Sequence, residues 1–133
     1  PPKYSPLKEA LDIALKNAEK TGSIIEVISE PDMAVQAADI VVTDSFVSMG
    51  LEKERDQRLA AFLPKYQVNQ QLMEKAKPNA CFMHCLPAHR GEEVTDDVID
   101  GPKSLVWQEA ENRLHTQKAL LCLLLLDKKA IPG

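Results

Sequence analysis

Asp39-Ile40-Val41-Val42-Thr43 is a short run of largely β-branched residues, and Asp44-Ser45-Phe46-Val47-Ser48-Met49-Gly50 follows it without a break. An unalternating apolar run of this length reads as a strand buried on both faces, the kind that fills parallel sheets. The polar stretch behind it then leaves the sheet at the strand's carboxyl end. Ala80 to His84 repeats the arrangement, with Cys85-Leu86-Pro87 running off its end. Helix-forming sequence separates the two units, so they predict parallel strands joined by crossovers.

The same alternation extends outward in both directions. Ser5 is expected to cap a helix with Pro6 in its first turn. Leu7, Leu11, Ala14, Leu15 and Ala18 then recur at helical spacing, and Gly22 stands where a C′ glycine ends a helix. Ile24 to Ile28 reads as a strand, and Glu30-Pro31-Asp32 opens a short helix carrying Met33, Ala34 and Ala37. Glu52 to Phe62 predicts a charged helix stopped by Pro64. Tyr66 to Val68 predicts a short strand, and Asn69 caps a helix reaching about Ala76. Thr95 to Ile99 reads as a helical turn, Ser104 to Trp107 as another core strand, and Glu109 to Leu126 as a closing helix. The expected class is α/β: a Rossmann-like parallel sheet with helices on both faces, in three layers, within one domain spanning 1–133.

Composition narrows the function. The chain has 133 residues, 16 Lys plus Arg against 20 Asp plus Glu, and a formal net charge of -4. That balance excludes the basic bias of a protein that holds nucleic-acid phosphates. With 44% hydrophobic residues the chain is not a disordered one. Its longest apolar run, Ala119 to Leu126, is far short of the roughly 20 residues of a membrane span. Three cysteines cannot all pair within the chain, and their apolar settings fit a reducing compartment. No signal peptide is visible, and an opening of Pro1-Pro2-Lys3-Tyr4 is expected of a piece of a longer protein or, alternatively, of a cleaved product.

Ligands of open parallel sheets bind beyond the carboxyl ends of the strands. Three segments are expected there: Asp44 to Gly50, Cys85 to Pro87, and Gln108 to Arg113. Asp44 reads either as a turn or cap aspartate or as a receptor for an ammonium group. The Ser48-Met49-Gly50 turn offers backbone amides to a carboxylate, or is merely a loop. Cys85 is either a buried small hydrophobe or a site thiol. Arg113 is a surface arginine or, facing the crevice, a fork for an oxyanion. His115 reads as a packing or surface histidine, and Lys53, Glu54, Arg55, Asp56 and Arg58 as a solvated helix face. A zinc site from Cys81, His84, Cys85 and His89 fails on geometry. Cys81 and Cys85 lie roughly 13 Å apart along a strand, beyond what zinc–sulfur bonds of about 2.3 Å span. No metal is expected. The five glycines include no G-x-G-x-x-G and no P-loop, so a dinucleotide cofactor has no residue support.

Asp44-Ser-Phe-Val-Ser-Met-Gly50, His84-Cys-Leu-Pro87 and Glu109-Ala-Glu-Asn-Arg113 together resemble the second domain of the ornithine carbamoyltransferases. The likeness runs over nearly the whole chain, with all three motifs in order. His-Cys-Leu-Pro is the most telling, because aspartate carbamoyltransferases have a proline-rich counterpart without the cysteine. Phe46 stands where the family usually has tryptophan. The resemblance implies carbamoyl transfer from carbamoyl phosphate to L-ornithine, giving L-citrulline and phosphate without a cofactor, a step of arginine biosynthesis. It implies that Asp44 binds the α-amino group and that Ser48 with the Met49 backbone holds the amino-acid head. It implies further that Cys85 lies beside the attacking amine, and that the Leu86 backbone and Arg113 contact the carbamoyl group. A putrescine or modified-ornithine carbamoyltransferase is the alternative within the superfamily, and a non-catalytic amino-acid-binding module the alternative outside it.

The family's carbamoyl-phosphate-binding domain, with its Ser-x-Arg-Thr-Arg motif, is not among these residues, and a strand-and-helix unit of the ornithine domain is expected ahead of Pro1. The sheet is therefore expected to be incomplete at its N-terminal end and the isolated chain to be inactive. The resemblance also implies a homotrimeric full-length enzyme, in the cytoplasm by default, or in a mitochondrion or plastid if a transit peptide precedes it.

Overall fold

In the computed structural model, which describes residues 1–126, strands β1 (Ile40–Thr43) and β2 (Cys81–His84) pair in parallel. Ile40 lies opposite Cys81 and Thr43 opposite His84, so the strands end level with each other. The helices are α1 (Lys8–Thr21), α2 (Pro31–Ala34), α3 (Arg55–Phe62), α4 (Gln70–Glu74), α5 (Asp96–Ile99) and α6 (Val106–Leu125). The architecture is α/β, a small parallel sheet with helices in Rossmann-like order, as the alternation predicts. Among the described residues no helix is long and apolar enough to cross a membrane. The domain expected over 1–133 runs past the described residues.

The core lies between the sheet and the segments from α4 to the start of α6. Phe82, Val94 and Val106 are completely buried there, with Met73 and Ile99 beside them. Local chemistry sets the ends of the elements. Asn69 caps α4 by accepting the Leu72 N–H at 2.9 Å, and Gly22 closes α1 at φ 73, a conformation that favours glycine. Ser5 does not cap α1. Its hydroxyl donates to the Pro2 carbonyl at 2.8 Å, closing a 3-10 turn over Pro2–Tyr4, and the N-cap position falls to Leu7.

Five expectations about strands and faces need correction. Ile24 to Ile28 forms no strand, and Ile24 is 86% exposed; a strand exists only against a neighbour, and none of the described residues pairs with it. Ser104 to Trp107 shrinks to one bridge between Ser104 and Phe82, after which the chain turns straight into α6 at Val106. Tyr66 to Val68 likewise reduces to a bridge between Val68 and Val94. β1 is buried on one face only: Val41 is covered while Ile40 and Val42 are exposed. Helix α1 forms where predicted, yet of its apolar residues only Ala18 is buried. Segment 24–28, β1 and α1 share one cause: the apolar pattern is present, and among the described residues the layer that would cover it is not. The other two segments are covered, with Val106 and Val68 buried in the core, and are shortened because one enters α6 and the other pairs at a single bridge.

Candidate active site

Because β1 and β2 end level, the segments behind Thr43 and His84 emerge side by side. Cys85 donates its S–H to Asp44 Oδ1 across 3.4 Å, and the same oxygen accepts the Ser45 N–H at 2.7 Å. Ser45 Oγ donates to the Pro87 carbonyl at 3.2 Å, a second tie between the two loops. No lysine or arginine among the described residues pairs with Asp44, so its carboxylate has no counter-ion there.

Two adjoining cavities open along this seam. The first, of about 430 Å³, is lined by Asp44, Ser48 and Met49 on one loop, by Leu86, Pro87 and His89 on the other, and by Glu52, Arg55 and Glu92. Its size suits a small molecule. The second, shallower and of about 590 Å³, is lined by Cys85, Leu86, Pro87, Ala110, Arg113, Leu114 and Gln117. Leu86 and Pro87 form the rim common to both. The residues singled out by sequence thus divide between neighbouring halves of one region: Asp44, Ser48 and Met49 in the first, Cys85 and Arg113 in the second, Leu86 in each. The first half carries three carboxylates against one guanidinium, which favours a cationic ligand. The second carries Arg113, which has no hydrogen-bond or ion-pair partner among the described residues and is open to an anion.

A buried pair holds the rim in shape. Leu86 adopts φ 56, unusual for a residue with a branched side chain, and its N–H donates to His84 Nδ1 at 2.8 Å. A backbone N–H can only donate, so Nδ1 is unprotonated and the proton of a neutral imidazole sits on Nε2. Nε2 lies 3.2 Å from Glu93 Oε1, which also accepts the His89 N–H at 2.5 Å. His84 and Glu93 are both 0% exposed, and Glu93 Oε2 is buried without a partner. On the other side, Glu109 Oε2 accepts the His84 N–H at 3.0 Å and ties the first turn of α6 to the end of β2. Arg113, one turn further along α6, lines the second cavity together with Cys85.

Although Cys85 is exposed as a residue, partial desolvation of its sulfur first, and then the hydrogen bond to Asp44, push the thiol above its ordinary range. It is therefore a protonated donor at neutral pH. Glu52 is held below the usual carboxylate range, chiefly by the Gly50 N–H, which donates to its Oε1 at 2.9 Å. Arg55 pairs with Glu92 across the cavity wall.

Sequence reading missed several of these groups. Arg55 lines the cavity, and Arg58 lies over the Tyr4 ring and donates to the Phe46 carbonyl, so the face read as solvated contributes both wall and support. Lys53 and Asp56 remain exposed as expected, and His115 is exposed beside Glu111. Glu109 heads one of the three motifs, yet nothing in the sequence gives it a role, and Glu93 carries no sequence signal that would single it out from Glu92 beside it. Phe46 stacks on Phe62 with ring centroids 4.5 Å apart, anchoring the root of the 44–50 loop. His84 and Cys85 face opposite ways, one buried and one exposed, as the strand period requires. Polar atoms of His89, Glu92 and Glu93 lie within 4.8 Å of one another. Their carboxylates are engaged by Arg55, by His84 and by the His89 amide.

Comparison with known proteins adds an independent line. Residues 1–124 match the family model described as aspartate/ornithine carbamoyltransferase, Asp/Orn binding domain. The ornithine carbamoyltransferase of Methanothermobacter thermautotrophicus is 56% identical over 127 residues, which cover 96% of this chain and 42% of that protein. The solved ornithine carbamoyltransferase of Pyrococcus furiosus superposes with a TM-score of 0.86 at 49% identity, covering 99% of this chain and 41% of its own. A solved N-acetyl-L-ornithine transcarbamylase superposes with a TM-score of 0.80 at 32% identity, over 94% of this chain and 38% of its own. The chain spans about 42% of the length of the first of these relatives.

Proposed function

The chain belongs to the aspartate/ornithine carbamoyltransferase family, in its Asp/Orn-binding domain, and from that membership we propose that it supplies the amino-acid-binding half of an ornithine carbamoyltransferase. The full-length enzyme would transfer the carbamoyl group of carbamoyl phosphate to the side-chain amine of L-ornithine, giving L-citrulline and phosphate. The observation that carries the reading is the Cys85–Asp44 contact at the seam between an acidic cavity and one holding Arg113.

The chemical demand fits those groups. An amine of the lysine type has a pKa near 10.4, so only roughly 0.04% is neutral at pH 7, and deprotonation there costs about 4.6 kcal/mol. A pocket that strips water from the ammonium lowers that cost. In the proposed pose Asp44 receives the α-ammonium, and Ser48 with the Met49 backbone holds the amino-acid head. Cys85 stands beside the side-chain amine and, with Asp44, gives its proton a way out. The neutral nitrogen then attacks the carbamoyl carbon, the new C–N bond forms, the C–O bond to phosphate breaks, and phosphate leaves. Arg113 stabilises charge developing on the carbamoyl oxygen, with the Leu86 backbone alongside.

With the chain spanning about 42% of the length of a relative, carbamoyl phosphate in the proposed full-length enzyme would be held by residues outside this chain, and the chain alone would not catalyse transfer. A homotrimer in the cytoplasm is the assembly proposed for the whole enzyme. The N-acetyl-L-ornithine transcarbamylase likeness keeps a modified ornithine as the second reading. Product analysis with the full-length enzyme, offering L-ornithine, N-acetyl-L-ornithine and putrescine with carbamoyl phosphate, decides between them. Citrulline as the dominant product is expected; a preference for either other amine overturns the substrate assignment. In the same enzyme Cys85→Ser is expected to lower kcat at least tenfold and shift the pH–rate profile. An unchanged rate and profile would remove the thiol from the mechanism.

A further inference from the structure

An amino acid brings a carboxylate as well as an ammonium, and most of the charge on the wall of the acidic cavity opposes the carboxylate. Asp44 and Glu52 line the cavity with no lysine or arginine partner among the described residues. Glu92 lines it too, paired with Arg55, which opens α3 and is the one arginine or lysine on the wall. The two partners stand differently. The Glu92 side chain is 14% exposed and that of Arg55 48%, so the carboxylate is set into the wall and the guanidinium reaches out of it. Arg55 spends only its Nη2 on Glu92, and its other N–H donors have no partner among the described residues. A guanidinium is a planar fork of several donors, so it can hold a second carboxylate without releasing the first. Its position is tied to the 48–50 turn through two local bonds, from the Leu51 N–H to the Ser48 carbonyl at 3.0 Å and from the Glu54 N–H to the Leu51 carbonyl at 2.9 Å.

We propose that Arg55 is the specificity determinant of this cavity: its free N–H edge receives the α-carboxylate of the substrate beside the Met49 backbone while Glu92 keeps the other edge, so that the cavity takes amino acids in preference to simple amines. This deepens the reading of the cavity as an amino-acid site and rests on it. Charge carries the argument. A diamine brings only ammonium groups, which suit Asp44 and Glu52. An α-amino acid adds a carboxylate, which the same two groups repel, and Arg55 is the permanent positive charge on the wall that offsets them. His89, the other basic side chain there, has its Nδ1 3.8 Å from Glu93 Oε1. A mere brace between α3 and the loop after β2 would use the same ion pair, and the two roles part according to which partner is removed.

The test uses the full-length enzyme with carbamoyl phosphate present. L-norvaline carries an α-ammonium and an α-carboxylate without a side-chain amine, and L-norvalinamide replaces the carboxylate by a neutral amide. Their Kd values are measured by calorimetry for wild type, Arg55→Met, Arg55→Lys and Glu92→Gln, beside KM and kcat for L-ornithine. Arg55→Met is expected to weaken L-norvaline and raise the KM for L-ornithine by about tenfold, with kcat and the Kd of L-norvalinamide little changed. Arg55→Lys keeps the charge without the fork and should recover part of the loss. Glu92→Gln breaks the ion pair but leaves the guanidinium, so the preference for L-norvaline over its amide should persist. L-norvaline unaffected by Arg55→Met, both ligands weakening together, or a Glu92→Gln variant that loses the preference as Arg55→Met does overturns the role of Arg55 alone. Wild-type enzyme that binds no L-norvaline and turns over no L-ornithine overturns the amino-acid site, and this role with it.

Discussion

Cys85 and Asp44 share a proton-bearing contact, and its electrostatics give a testable pH dependence. Partial desolvation and the neighbouring carboxylate raise the thiol's pKa, so its thiolate appears only at a higher pH than that of a free cysteine. Alkylation by iodoacetamide follows the thiolate. The rate at Cys85 in the full-length enzyme is therefore expected to rise at a higher pH than for a peptide thiol. Asp44→Asn, which removes the negative charge, should move that rise to lower pH; a midpoint unmoved by the substitution would mean that the contact carries no electrostatic weight. Glu93 poses a different problem at the same scale. Its Oε1 serves His84 and the His89 amide in a fully buried place. Glu93→Ala strands both donors and is expected to cost about 1–3 kcal/mol for each donor left unpaired, read from urea unfolding. Glu93→Gln keeps an acceptor and should cost less.

Among the elements, the loop from β2 to α5 is held at its far end by Arg90, which bonds Asp96 and Asp100. The Arg90 guanidinium holds the Asp100 carboxyl below its ordinary range. A carboxyl lowered by folding adds stability above its unfolded-state pKa, and that stability is lost as pH falls through the lower folded value. Asp100→Asn should therefore flatten the loss of stability below about pH 4 while changing little near neutrality, where exposed pairs are weak. An acid limb unaltered by the substitution would discount the pair. Helix α4 depends on its cap instead. Asn69→Ala is expected to cost about 1 kcal/mol, visible as a shift in denaturation midpoint with unchanged denaturant slope. Such ends were legible in sequence: Asn69 and Gly22 act within a few residues of themselves. Ser5 was not legible as the partner of Pro2, since two local bonds competed for one hydroxyl.

For the molecule as a whole, the exposed surface is 9810 Å², against about 7,000 Å² for a self-contained monomer of this mass. Exposed apolar side chains are part of that surface: the open face of β1, the segment 24–28, Ile13 and Leu15 on α1, and the second half of α6, where Leu124 and Leu125 are 70% and 77% exposed. The isolated 133-residue polypeptide is accordingly expected to self-associate on size-exclusion chromatography as its concentration rises, and to form no citrulline. A strictly monomeric elution at all concentrations would contradict the first expectation, and citrulline formation the second.

By itself the sequence determined that the main helices form, two of their ends at Gly22 and Asn69, the two paired strands, and the two segments that carry polar groups off those strands, because propensity, capping and periodicity act over a few residues. It also carried the motifs that identify the family. Only the tertiary structure decided which expected strands pair, since a hydrogen-bonded ladder needs a neighbour that local pattern cannot supply. The same holds for the site. That Asp44 meets Cys85, that Leu86 is the rim between an acidic and a basic half, and that Glu52, Arg55, Glu93 and Glu109 take part all depend on contacts between segments distant in the chain. There the parallel register of β1 and β2, and not the spacing of residues, sets which groups face one another.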